Sequence, residues 1–208
     1  MTRRYPAADP NAPLLVLAHG AGGGQDHPWM RRAAQALADR GVAVVTFDFP
    51  YMAEGRKVPD KGDILEEAYR AVWETAADGL APRVRFAGGK SMGGRIASQA
   101  AARGLFTPAP QGLVFFGYPL HPPGKPAQRR DRHLPAIAAP LLFLHGAKDP
   151  FGSPDEMAEL VATLPHATLV LTEGGDHSLA RSKRQDPQGQ ALIDAVDTAV
   201  AWIRTIER

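Results

Sequence analysis

Residues 89–93 read Gly-Lys-Ser-Met-Gly, which is the most informative stretch of the chain. An apolar run at 84–88 precedes it, and residues 95–103 have the composition of a helix. A serine flanked by glycines at a strand-to-helix junction is typical of a nucleophile elbow, a strained turn that presents the hydroxyl above a sheet. The helix N-terminus behind the serine favours a developing negative charge. The motif therefore predicts that Ser91 is a nucleophile, which requires a base, an acid and an oxyanion hole elsewhere in the chain.

The remainder of the chain alternates short apolar runs with segments that read as helices. The runs predict about six strands, at residues 14–18, 42–47, 84–88, 112–117, 141–144 and 167–172. The predicted helices cover residues 29–40, 63–77, 95–103, 154–164 and 187–207. Strands that alternate with helices over short connections indicate a mostly parallel sheet with helices on both faces, a three-layer α/β sandwich. No change in composition marks a second domain, so residues 1–208 are expected to form a single one.

Two of the helices begin with capping signals. Asp63 is the predicted N-cap of the second helix, and Glu66 three residues later would complete a capping box. Ser153 is the predicted N-cap of the helix at 154–164.

Ligands bind at the carboxyl ends of the strands in such a sheet, and polar residues cluster there. A serine hydroxyl is a weak nucleophile and needs a neighbouring base, usually a histidine that is itself oriented by a carboxylate. Asp149 follows the fifth predicted strand and His177 follows the sixth. The order Ser91, Asp149, His177 matches the order of nucleophile, acid and base in α/β-hydrolases. Asp176 is the rival acid, but adjacent residues in extended chain point apart, which favours Asp149.

An oxyanion hole needs two backbone N–H groups aimed at one point. The residue after the nucleophile, Met92, is expected to supply one of them. The other is expected from the Gly-rich loop at 19–23, where Ala21 is the first choice and Gly22 the second. Small residues in this loop would let its backbone approach a substrate, so Gly22 is also a candidate substrate contact.

The longest connection, residues 118–135, is rich in proline and lies after a predicted strand. It is the candidate source of further substrate contacts, from Tyr118, His121, Lys125 and His133. Together with Arg129 and Arg132, Lys125 hints at an anionic group on the substrate.

Two other histidines are interpreted as structural. His19 and His145 each precede a glycine at the end of a strand, and each is expected to bond to nearby backbone. The remaining histidines lack the paired spacing of a metal site, so neither a metal nor a cofactor is expected.

Composition excludes several classes of function. The 208 residues carry a net charge of only +2, which gives no argument for nucleic-acid binding, and they include no cysteine, which rules out a disulfide framework and a thiol nucleophile. No apolar run has the length of a membrane span and the N-terminus lacks the apolar region of a signal peptide, so a cytoplasmic location is the expectation. A P-loop would need glycine where the chain has Val84, and a dinucleotide fingerprint would need it where the chain has Gln25.

These residues resemble the α/β-hydrolase superfamily over almost the whole chain. Several strings are more similar to a small capless branch that includes the testis-expressed-protein-like hydrolases and the hydrolase-like subunit of the NSL histone acetyltransferase complex, and that is related to dienelactone-hydrolase-like proteins. These strings lie at 19–22, 47–51, 88–95, 117–126 and 149–152. The resemblance implies the fold, without a cap domain, and a serine-hydrolase site at Ser91, Asp149 and His177. It implies no substrate. Dienelactone hydrolases use a cysteine nucleophile, which this chain does not have.

The function expected from these patterns is hydrolysis of a carboxylic ester or thioester through an acyl-enzyme intermediate on Ser91. A small-molecule acyl substrate is the expected partner, and a homodimer is possible because a second copy could wall an open site. The alternative is a non-catalytic interaction module that keeps the fold. A peptidase is disfavoured, since no propeller or cap domain is present to select peptides.

Overall fold

The computed structural model describes residues 2–207, which form one seven-stranded sheet with helices on both faces. The strands are β1 (Thr2–Tyr5), β2 (Leu14–Ala18), β3 (Ala43–Phe47), β4 (Arg85–Lys90), β5 (Gly112–Phe116), β6 (Leu141–Gly146) and β7 (Ala167–Thr172). The helices are α1 (Pro28–Asp39), α2 (Pro50–Ala53), α3 (Gly62–Thr75), α4 (Met92–Ala102), α5 (Pro154–Ala162) and α6 (Gln190–Ile206), with a short 3₁₀ turn at Leu134–Ala136. The strand order is β1-β3-β2-β4-β5-β6-β7.

The six predicted strands are confirmed, and every neighbouring pair among them is parallel. The seventh strand, β1, pairs antiparallel with β3 at the edge of the sheet, and the sequence did not predict it. Three of its four residues are polar, and only Tyr5 is buried. An edge strand with one buried side chain leaves no apolar run in the sequence, so β1 becomes evident only from its pairing with β3.

A separate hydrophobic core lies on each face of the sheet. Helices α3, α4 and α5 bury one face, with Trp73, Tyr69 and Ile96 in its centre. Helices α1 and α6 bury the other face, through residues such as Leu37 and Val196. Strands β2, β3 and β5 are buried along their whole length, as expected for parallel strands covered on both sides. This confirms the three-layer α/β sandwich.

Only one of the two predicted helix caps is present. Ser153 and Glu156 form a complete capping box at the start of α5. Helix α3 instead begins at Gly62 without a side-chain cap, and Asp63 lies in its first turn. Glu66 is buried and makes no capping hydrogen bond at the helix start; its carboxylate instead accepts a hydrogen bond from Arg103 at 2.6 Å. Tertiary packing against α4 has therefore outweighed the local capping signal.

The start of α6 also differs from the sequence prediction, at Gln190 instead of residue 187. The carboxylate of Asp186 accepts hydrogen bonds from the backbone N–H groups of Gln190 and Ala191, which fixes the helix start at this position.

The connection at 118–135 runs into the 3₁₀ turn at Leu134–Ala136 and adds no helical cap over the carboxyl ends of the strands. Within residues 2–207, no helix combines the length and the apolar character needed to cross a bilayer.

Close backbone packing makes glycine necessary inside β4, and this can be tested at Gly88. A Cβ added there would lie 2.2 Å from the carbonyl oxygen of Val114 on β5, a contact with rigid backbone. We expect Gly88→Ala to lower the free energy of unfolding by about 3 kcal/mol, measured by guanidinium denaturation.

The matched control is Gly62→Ala at the start of α3, where the nearest atom to the added Cβ is a flexible Glu66 oxygen at 3.6 Å. This variant should change stability by less than about 1 kcal/mol. Equal effects at the two positions would refute the packing argument.

Candidate active site

Ser91 lies at the tight turn between β4 and α4. Its φ of 52° and ψ of −118° are strained for a residue that carries a side chain. Its backbone N–H donates to Phe116 O at 3.0 Å, which anchors the turn to β5. The flanking glycines are required by space, because a Cβ on Gly89 would lie 2.5 Å from Gly93 C and one on Gly93 would lie 2.3 Å from Ala18 O. The helix therefore begins directly against the sheet, and the serine is pushed above it.

A continuous chain of hydrogen bonds joins Ser91, His177 and Asp149. Ser91 Oγ lies 2.7 Å from His177 Nε2, and His177 Nδ1 lies 2.7 Å from Asp149 Oδ2. The Asp149 side chain is fully buried, while that of His177 is 20% exposed. Because a carboxylate only accepts, Nδ1 of His177 carries the proton and Nε2 is left to accept from the serine hydroxyl.

The backbone and the side chain of Phe151 orient these groups. Asp149 follows β6, and its Oδ1 accepts a hydrogen bond from Phe151 N at 2.8 Å, which holds the carboxylate toward the histidine. The Phe151 ring stacks on the imidazole of His177 with the ring centres 4.2 Å apart. The imidazole is thus held both at its edge and on one face.

The rival acid, Asp176, turns back into its own loop. Its Oδ1 accepts hydrogen bonds from Ser178 N at 2.7 Å and from Ala180 N at 3.0 Å. Asp176 therefore shapes the loop that carries His177, whereas Asp149 contacts the imidazole.

The loop after β2 lies beside the serine. A Cβ on Gly20 would be 3.5 Å from Ser91 Cβ, which places the following residues, Ala21 and Gly22, at the site. Met92 is the first residue of α4, so its N–H belongs to the turn of N–H groups that has no partner within the helix. Ala21 lines the same cavity as Ser91, and Met92 follows Ser91 directly in the chain; their role as oxyanion donors stays a prediction.

A cavity of about 330 Å³ opens beside Ser91 and His177. Its wall combines a Gly-rich backbone with aromatic and apolar side chains. The lining residues are Gly20, Ala21, Gly22, Gly23, His27, Trp29, Met30, Lys90, Ser91, Phe151, His177 and Ser178.

Residues 11–204 match the sequence family described as the alpha/beta hydrolase domain. The chain belongs to the α/β-hydrolase family. The match extends over nearly the whole chain, so it includes the strands and loops that carry Ser91, Asp149 and His177. The narrower resemblance to the testis-expressed-protein-like branch stays a prediction.

Solved structures of other proteins share this fold. A dienelactone hydrolase from Anabaena variabilis ATCC 29413 aligns with a TM-score of 0.74 at 20% identity, over 98% of this chain and 90% of the other. Est1E from Butyrivibrio proteoclasticus, solved with ferulic acid bound, aligns with a TM-score of 0.73 at 15% identity, over 97% and 95% of the two chains. XC6422 from Xanthomonas campestris, described as a serine hydrolase without a lid, aligns with a TM-score of 0.69 at 23% identity, over 95% and 88%.

The predicted substrate contacts from the 118–135 connection lie outside the wall of the cavity in this α/β-hydrolase. Tyr118 is buried, and its hydroxyl donates to Arg130 O at 2.7 Å. His121 is buried between Pro122 O and Glu156. Lys125 is exposed to solvent. These side chains pack or extend away from Ser91, so the geometry gives the predicted contacts no support.

His133, the fourth of these candidates, forms a second serine–histidine pair with Ser98. Its Nε2 lies 2.7 Å from Ser98 Oγ, but Ser98 is completely buried. The Ser98 hydroxyl donates to Arg95 O at 2.7 Å, so the histidine ring must donate to the serine oxygen. Burial lowers the pKa of His133 to about 4. The pair links the 118–135 connection to α4. It cannot activate Ser98 as a nucleophile, because the histidine donates its proton to the serine oxygen and does not accept one from it.

The structural interpretation of His19 and His145 is confirmed. His19 Nδ1 donates to Gly20 O at 2.7 Å, while its Nε2 accepts from Phe49 N at 3.1 Å. His145 Nε2 bonds to Gly152 O at 2.9 Å. Burial lowers the pKa of both rings, which keeps them neutral.

Sequence reasoning did not identify the apolar and cationic side chains of the cavity, namely Trp29, Met30, Lys90 and Phe151. Lys90 is next to Ser91 in the sequence, and Phe151 lies two residues after Asp149. This closeness to predicted site residues is the one sequence feature that points to them. Trp29 and Met30 reach the site only because α1 packs against the sheet at this end, which no local pattern encodes.

The contrast between the two aspartates predicts different effects on the reactivity of Ser91 toward a fluorophosphonate probe. Asp149→Asn removes the carboxylate that fixes the tautomer of His177, so the labelling rate should fall by about 10³-fold or more. Asp176→Asn keeps an oxygen that accepts from Ser178 N and Ala180 N, and its labelling rate should stay within about tenfold of wild type. If the labelling rate falls more in Asp176→Asn than in Asp149→Asn, Asp149 is not the acid.

Proposed function

We propose that this α/β-hydrolase cleaves a carboxylic ester or thioester through an acyl-enzyme intermediate on Ser91. The observation that carries the proposal is the unbroken hydrogen-bond chain from Ser91 Oγ through the His177 imidazole to the Asp149 carboxylate, with both distances at 2.7 Å. The Ser91 end of this hydrogen-bond chain lies at a cavity, so a substrate can reach the serine hydroxyl.

In the first half of the proposed reaction, Ser91 Oγ forms a bond to the acyl carbon while its proton passes to His177 Nε2. The acyl oxygen becomes an oxyanion, which the N–H groups of Ala21 and Met92 bind. When this tetrahedral intermediate collapses, the bond to the leaving alcohol or thiol breaks, and the leaving group takes the proton from His177 Nε2. The acyl group stays on Ser91 as an ester.

In the second half, water replaces the leaving group. His177 Nε2 accepts a proton from the water as its oxygen attacks the acyl carbon, and returns that proton to Ser91 Oγ when the acyl–serine bond breaks. The Asp149 carboxylate stabilises the imidazolium that forms in each half and is not itself protonated. The products are a carboxylic acid and the regenerated hydroxyl.

The size and lining of the cavity support a small acyl group. Its volume of about 330 Å³ is at the lower end of the range for small-molecule sites. Trp29, Met30 and Phe151 supply apolar surface for the acyl chain, while Ala21 and Gly22 leave the backbone accessible. A short or compact acyl group fits this space better than a long chain.

A panel of p-nitrophenyl esters of increasing acyl length tests both the reaction and the pocket. We expect acetyl and butyryl esters to be hydrolysed faster than the octanoyl ester, measured as kcat/KM. Ser91→Ala should lower kcat by about 10⁴-fold or more on the best substrate, because no other group can form the acyl-enzyme.

The control is Ser182→Ala, which alters an exposed serine whose hydroxyl donates to Gln185 and should leave the rate unchanged. Equal rates for wild type and Ser91→Ala would reject Ser91 as the nucleophile. If folded wild-type protein hydrolyses no member of the panel and resists fluorophosphonate, the non-catalytic interaction module becomes the better account.

A further inference from the structure

The loop that carries His177 is held from outside through its backbone carbonyl groups. Lys90 Nζ donates to His177 O at 2.7 Å, and Trp29 Nε1 donates to Ser178 O at 2.9 Å. The loop follows β7, the last strand of the sheet, so it has no further strand beyond it for support. Two side chains, from β4 and α1, therefore fix the main chain of the residue whose ring must face Ser91.

Lys90 approaches His177 closely because Gly117 leaves room for it. A Cβ on Gly117 would lie 2.5 Å from His177 O, 3.4 Å from His177 Nδ1 and 3.5 Å from Lys90 Nζ. Any side chain at position 117 would separate the ammonium group from the carbonyl. Gly117 also has a positive φ of 69°, which glycine adopts without strain.

The buried charge of Lys90 lowers the stability of the folded protein. The residue is only 9% exposed, and burial lowers its pKa from 10.5 to about 8, against the opposing attraction of Asp149 and Asp176. Since the folded-state pKa lies below the unfolded one, the buried charge costs folding free energy below about pH 8, and the cost is relieved as the pH rises from 8 toward 10.5. A buried ammonium group that lowers stability at neutral pH needs another reason to be there.

We propose that Lys90 is a positioning residue for His177, an inference that rests on the proposed hydrolase function. Its charge-assisted hydrogen bond to His177 O holds the backbone at the place where Nε2 meets Ser91 Oγ and Nδ1 meets Asp149. Because Lys90 directly precedes Ser91, one dipeptide sets both the nucleophile and the main chain of the base. A small displacement of either group breaks the 2.7 Å contact between them.

Other groups around His177 act on its ring or on other parts of its loop: Trp29, for example, donates to the carbonyl of Ser178, one residue later. Asp149 bonds to Nδ1, Phe151 stacks on one face, and His145 lies 3.6 Å from the same Asp149 oxygen. Asp176 binds N–H groups of the loop, and His27 lines the cavity. Of these, none donates to the carbonyl of His177.

The test is Lys90→Met, which keeps an unbranched apolar chain and removes the donor. We expect kcat on the best p-nitrophenyl ester to fall by about 10- to 100-fold with KM within about threefold, because the error lies in the geometry of the base and not in substrate binding. The melting temperature at pH 7 should stay within about 3 °C of wild type or rise, because the desolvation cost of the ammonium group is removed. Lys57→Met, at an exposed lysine, should match wild type in every readout.

A second readout needs no substrate. In wild-type protein, proton NMR should show a far-downfield signal from the His177 Nδ1–H that is hydrogen-bonded to Asp149, and this signal should disappear in His177→Gln. In Lys90→Met it should broaden or be lost, since the imidazole is no longer held in one place. It should persist in Lys57→Met.

Three results would overturn the inference. A kcat within twofold of wild type with an unchanged downfield signal would show that Lys90 does not position His177. A change confined to KM would make Lys90 a substrate contact, and a clearly lowered melting temperature would make it a structural residue. If wild-type protein itself lacks esterase activity, the proposed function fails, while the NMR comparison still decides the role of Lys90.

Discussion

The site depends on the direct contact between the N-terminus of α4 and the ends of β2 and β4. No side chain separates them, because Gly89 and Gly93 bring backbone against backbone and Ala18 O occupies the space that a Cβ would need. This contact forces Ser91 into a positive φ and lifts its hydroxyl above the sheet. The buried sheet beneath the turn sustains the strain at Ser91, so the rigidity of the fold fixes the position of the proposed nucleophile.

The loop that carries His177, the proposed base, is also held by strained and buried residues. Leu179, two residues after His177, is the other non-glycine residue with a positive φ in the described part of the chain, and its side chain is completely buried. The loop is therefore anchored in the core on one side and bonded by Lys90 on the other. The strained backbone of Ser91 and Leu179 and the buried charge of Lys90 are all unfavourable for folding. All three lie next to the Ser91–His177 contact, whose geometry the proposed reaction requires.

Much of this arrangement could be predicted from the sequence, for identifiable reasons. Ser91, Asp149 and His177 each follow a parallel strand, and a shared sheet edge brings such positions together whatever the details of packing. The β1 strand and the start of α3 could not be predicted, since Tyr5 alone is buried in the first and Glu66 pairs with Arg103 in the second. Candidate contacts such as Tyr118 and His133 failed to reach the cavity because loop sequence does not reveal which way a side chain packs.

Direct detection of the acyl-enzyme is the sharpest test of whether Ser91 is the nucleophile. Protein mixed with p-nitrophenyl acetate, quenched in acid within the first turnovers and digested, should carry one acetyl group on the peptide that contains Ser91, identified by tandem mass spectrometry. The adduct should disappear on longer incubation as water completes the cycle. An acetyl group found only on lysines or on other serines, or an adduct that is unchanged in Ser91→Ala, would show that Ser91 is not the nucleophile.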